Sequence, residues 1–89
     1  MIPRNRIPAH PGKILLKEFL EPKEMTQAAL ADKMHVPIQR VNTLVNEKRD
    51  MTPETAILLS RALGTNAEFW MNLQTNHDLA VAEHKMAHA

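Results

Sequence analysis

Cysteine is absent from the 89 residues, which excludes a disulfide framework, a thiolate metal site and a cysteine nucleophile. No apolar run is longer than four residues, as at 56–59, far short of the ~20 needed to cross a bilayer. No membrane association is expected. The opening Met-Ile-Pro-Arg-Asn-Arg has no apolar stretch behind it, so it does not read as a secretory signal, and the default address is cytoplasmic. There are no internal repeats and no low-complexity segments. No segment alternates polar and apolar residues over strand length, which leaves an all-α chain. Neither a Ser/His/Asp set nor a paired-carboxylate arrangement finds support in the spacing, and so small a domain does not readily enclose a substrate pocket. Neither an enzyme nor a cofactor is expected.

What is present is ordinary in amount and uneven in placement. Apolar residues make up 44% and charged residues 24%, close to soluble globular averages. The 10.1 kDa chain allows one small domain, with a surface-to-volume ratio that favours a dimer or a stable partner. Its formal charge of +1 hides an asymmetry: residues 1–49 hold nine Lys/Arg against five Asp/Glu, and residues 50–89 hold two against five. Positive charge gathered in one half points to a polyanionic partner there.

Punctuation divides the chain into an extended arm at 1–9, a five-helix domain at 10–80 and a partly disordered tail at 81–89. Pro3, Pro8 and Pro11 keep the arm out of helical conformation. A first helix starts at Pro11, with His10 standing in as its N-cap, and carries Leu15, Leu16, Phe19 and Leu20 on one stripe. Thr26 caps a second, which turns Ala28, Leu30, Ala31 and Met34 inward. Pro37 opens a third, with Val41, Leu44 and Val45 at core spacing. Thr52-Pro53 starts a fourth, which Gly64 ends as a left-handed cap. The fifth begins with Thr65-Asn66-Ala67-Glu68 at capping-box spacing and frays beyond His77.

The most informative stretch is TQAALADKMHVPIQRVNTLVNEKR at 26–49. Two short helices meet at a sharp angle only where a small residue lets their backbones approach, and Ala31 fills that place. His35 is the turn residue, Val36 packs beneath it, and Val41 and Leu44 lock the second helix onto the first. This is the helix-turn-helix pattern, whose second helix enters the major groove of DNA. Glycine is the usual turn residue because the position takes positive φ, which histidine tolerates at modest cost.

With Ala31, Val41 and Leu44 inward, the outer face presents Ile38, Gln39, Asn42 and Thr43, flanked by Pro37 and Arg40. Gln39 and Asn42 can pair bidentately with adenine, Arg40 with guanine or a phosphate, and Ile38 can touch a thymine methyl. Gln27 suits a backbone phosphate at a helix N-terminus, and Lys48 and Arg49 stand where a flanking phosphate would pass. The bland alternative is a helical hairpin with a solvated polar face; an exposed Ile38 beside Gln and Arg argues against it.

Three longer stretches extend the pattern. HPGKILLKEFLEP at 10–22, N-E-K-R at 46–49 and MTPETAILLSRALGTNAEFWMNLQTNHDLA at 51–80 resemble the HigA family, antitoxins of the Xre/Cro-repressor-like superfamily. The resemblance implies a Cro/lambda-repressor-like fold, a homodimer that binds double-stranded operator DNA and represses its own operon, and a HigB-like toxin partner. Such a toxin would be a ribosome-dependent mRNA endonuclease of the RelE-like class. Relatives usually have Gly where Glu47 stands, Arg or another polar residue at 38, and often Tyr at 77. Ile38 therefore implies an altered operator preference, and Glu47 places negative charge near the DNA backbone. A solitary Xre-type regulator without a toxin is the alternative.

Two sets of residues in the last helix remain. Trp70, Leu73 and His77 are the candidate dimerisation residues, a role that would set two recognition helices one DNA turn, ~34 Å, apart; Phe69 reads as core. His77, His84 and His88 share a helical face, but without further ligands they read as an exposed tail, and no metal is expected.

Overall fold

The structure, a computed structural model, describes residues 7–88. Most of the expected N-terminal arm, residues 1–6, lies outside the described residues. Among them are five helical segments and no strand. The first, α1, runs Pro11–Ile14 and continues directly as a π-helical stretch, Leu15–Leu20. Then follow α2 (Gln27–Met34), α3 (Ile38–Val45), α4 (Pro53–Leu63) and α5 (Ala67–Ala87).

Each start has a local cause. His10 Nδ1 accepts the Gly12 N–H at 2.9 Å, with Pro11 supplying the preset φ of the first helical position. After the stretch, Glu24 at φ 51° lets the Met25 N–H close on the Leu20 carbonyl; at the end of the π-helical stretch itself, the Glu21 N–H reaches the Leu16 carbonyl, five residues back. That spacing delivers both Leu15 and Leu20 to the core. Thr26 Oγ1 accepts the Ala29 N–H and Thr52 Oγ1 the Thr55 N–H, capping α2 and α4. Gly64 closes α4 at φ 72°, where a residue with a Cβ would be strained.

The core gathers Leu15, Leu20, Leu30, Ala31, Met34, Val41, Leu44, Val45, Met51, Ala56, Leu59 and Trp70. Ala31 is buried between α2 and α3, as a sharp crossing demands. Ala28, expected inward, is exposed, because only Leu30, Ala31 and Met34 of α2 face the core. Gly12 is needed for a different reason from Gly64. A Cβ there would collide with the Leu44 carbonyl, so α1 can lie against the end of α3 only because residue 12 has no side chain.

The fifth helix departs from expectation at both ends. Its N-cap is Asn66, whose Oδ1 accepts the Phe69 N–H at 2.8 Å, one residue later than a capping box from Thr65 would place it. Thr65 is occupied otherwise: its Oγ1 accepts the Trp70 indole N–H at 2.8 Å. At the other end, helix continues through residues 81–87, where the composition predicts fraying. Residues 82–88 are exposed, so backbone hydrogen bonds rather than packing hold that last stretch.

The neighbouring aromatics exchange their expected roles. Trp70 is fully buried and Phe69, expected in the core, lies 37% exposed at its edge. Phe19 packs against both, with ring centroids 5.2 Å from Trp70 and 6.2 Å from Phe69.

Candidate nucleic-acid interface

The angle between α2 and α3 is set by a turn that the sequence makes unusual. His35 has φ 57° and ψ 44°, and its N–H and that of Val36 close back on carbonyls of α2. This is the left-handed position for which glycine is preferred, and histidine fills it at a cost of about 1 kcal/mol. Pro37 then caps α3 with no side-chain bond to its first turn.

One side of α3 is buried through Val41, Leu44 and Val45. The other carries Ile38, 45% exposed, with exposed Gln39 and Asn42 and half-buried Thr43. Pro37, Lys48 and Arg49 are exposed around it, and Gln27 is half-buried at the start of α2. A chain of amides ties the two helices together. Asn42 Nδ2 donates to Gln27 Oε1 at 3.2 Å, and Asn46 Nδ2 donates to Asn42 Oδ1 at 3.2 Å. Asn46 carries no functional expectation from the sequence; its signal is only its position one turn after Asn42. Thr43 Oγ1 donates to the Gln39 carbonyl at 2.8 Å and accepts from Arg49 Nε at 3.2 Å. Thr43 thereby holds a loop cation against the recognition face.

Arg40 departs from the group. Its Nη2 donates to Thr55 Oγ1 at 2.9 Å and to Glu54 Oε1 at 3.3 Å, both at the start of α4. Thr55 is buried, and Arg40 Nε is itself buried without a partner, a cost that those bonds offset. Arg40 therefore braces α3 against α4 rather than standing with Ile38, Gln39 and Asn42.

Directly after α3, ahead of Lys48 and Arg49, the loop adopts the conformation that Gly would make easy: Glu47 sits at φ 61°. Its side chain is exposed next to Lys48 in the sequence.

The candidate dimerisation residues are dispersed. Trp70 lies wholly inside this chain's own core with its indole N–H satisfied, so it offers a second copy no surface. Leu73 is half-buried, packed against the core. His77, also half-buried, donates from Nδ1 to the Pro8 carbonyl at 2.7 Å and sets its ring edge against His10, 5.3 Å between centroids. The same region contains a residue that carried no expectation, Gln74, buried beneath the loop at 50–51. His84 and His88 stack one turn apart at 4.3 Å, and no group of three potential metal ligands comes together among the described residues. No described helix is long and apolar enough to cross a membrane.

A family model described as helix-turn-helix matches residues 16–70. The virulence-associated protein I of Dichelobacter nodosus is 44% identical over 81 residues, 90% of this chain and 75% of that protein. Antitoxin HigA-1 of Vibrio cholerae is 43% identical over 74 residues, 83% of this chain and 70% of that one. Among solved structures, the Pseudomonas aeruginosa antitoxin HigA with the higBA promoter superimposes with a TM-score of 0.83 at 44% identity. That match covers 88% of this chain and 85% of the other.

Proposed function

This chain belongs to the helix-turn-helix family, among the HigA-type antitoxins, which are regulators and not enzymes, and from that premise we propose that it has two tasks. It binds double-stranded operator DNA as a homodimer and represses its own operon, and it binds and neutralises a HigB-like mRNA-endonuclease toxin. The observation that carries the first task is the face of Ile38, Gln39 and Asn42, exposed and anchored to Gln27 across the turn. Gln39 and Asn42 suit base edges, and Gln27, Lys48 and Arg49 suit the phosphates on either side.

Support for the second task is the relation to HigA antitoxins over most of the chain. A dimer is supported by the family relation and by the partly uncovered α5 face of Leu73 and His77, one turn apart. The tagged chain, purified from its own host at mild salt, tests both tasks together. The expected result is a small basic protein encoded by the neighbouring gene, in fixed ratio to a dimer. Recovery of the dimer with DNA fragments alone would remove the toxin and leave a solitary regulator.

A further inference from the structure

The operator-binding reading leaves open which bases the face reads, and this inference rests on that reading. Three observations bear on it. First, the single cation of α3 is occupied. A guanidinium grips guanine through two N–H groups at once, either the Nη1–Nη2 edge or the Nε–Nη2 edge. Arg40 Nη2 belongs to both edges, and it is bonded to buried Thr55 and to Glu54, while Nε is buried. Neither edge can face a base without dismantling the contact with α4.

Second, Asn42 is held in a defined orientation with part of its capacity unfilled. One N–H goes to Gln27 and one lone pair to Asn46, which leaves one of each. That pair is what adenine N7 and its amino group require. Third, Ile38 exposes nearly half of an aliphatic side chain at the first position of α3, the end of a recognition helix that meets base edges. The apolar feature of the major groove is the thymine methyl.

We propose that α3 reads an A·T half-site core, with a thymine methyl against Ile38 and an adenine against Asn42, and that Arg40 positions the helix without reading guanine. The test begins with selection of duplexes from a random pool by the full-length chain. In the selected site each thymine is then replaced in turn by deoxyuridine, and each guanine by 7-deazaguanine. Both changes are made in the DNA, so the fold of the protein is untouched.

One uracil replacement is expected to weaken wild-type binding roughly fourfold, the worth of one buried methyl group, and to leave Ile38→Ala unaffected. Ile38 is exposed, so that variant is expected to fold. A uracil effect equal in wild type and Ile38→Ala, or none at any thymine, overturns the Ile38 assignment. A core guanine whose 7-deaza analogue weakens wild-type binding overturns the A·T assignment. Failure to enrich any duplex has a different signature, since it removes operator binding itself and the inference with it.

Discussion

Two buried or bridging amides, one in α5 and one in α3, show how differently the two halves of this chain use the same chemical group. Gln74 of α5 is buried, and its Oε1 accepts the Met51 N–H at 2.6 Å while Nε2 donates to Asp78 and Asp50. All of its donor capacity is filled within the chain, and what it provides is stability. Asn42 of α3 is exposed, oriented by Gln27 and Asn46, and keeps a donor and an acceptor facing water. A buried, saturated amide holds elements together, whereas an oriented, unsaturated one is ready for a ligand. Charge follows the same division, with the cations concentrated before residue 50 and the acids in excess after it.

The comparison breaks most readily at the packing end. Trp70→Ala removes the largest fully buried side chain and leaves Thr65 Oγ1 without its donor. Urea denaturation is expected to show a loss of about 3–5 kcal/mol, enough to unfold a domain of this size; a loss below about 1 kcal/mol would mean that Trp70 is not core. Gly12→Ala is expected to cost about 2–3 kcal/mol by forcing α1 off the Leu44 carbonyl. Because that contact also seats α3, duplex binding should fall in parallel with stability.

The two amides then separate cleanly. Gln74→Ala strands the buried Met51 N–H and is expected to lower stability by about 1–3 kcal/mol, with any remaining folded protein binding DNA normally. Asn42→Ala should leave the melting temperature nearly unchanged and weaken duplex binding by about 1–3 kcal/mol. Reversal of that pattern, with Asn42 mattering to stability and Gln74 to binding, would dissolve the distinction. The smallest effect is expected from Glu47→Gly. It relieves a non-glycine residue at φ 61°, and the greater freedom of glycine in the unfolded chain offsets part of that gain, leaving less than about 1 kcal/mol. It also removes a negative charge near the proposed phosphate path, so affinity measured at low salt should rise modestly.

These contrasts also explain which parts of the molecule are legible in the sequence. Thr26, His35, Thr52-Pro53 and Gly64 act on backbone within a turn of themselves, and each appears in the structure in its expected role. The inward set of α3 follows from period alone. The destination of Arg40 does not, because its partners lie 14 and 15 residues away on another helix. Phe69 and Trp70 are adjacent, and the packing of α5 against the other helices, which a local pattern does not carry, decides which of them is inside. Gln74 is invisible to any pattern of apolar residues, since it is a polar group buried for the sake of a loop N–H.

The central claim is that the exposed amides of α3 recognise DNA and are dispensable for the fold. The double variant Gln39→Ala/Asn42→Ala tests it most directly, because both side chains are exposed and neither belongs to the Arg40 brace. Its helical content, melting temperature and binding to a duplex from upstream of its own gene are measured beside wild type at one salt concentration. The account predicts melting within about 2 °C of wild type, since exposed substitutions rarely exceed 0.5 kcal/mol, together with loss of sequence-specific binding. A variant that melts normally and binds the same duplex with undiminished affinity would contradict it.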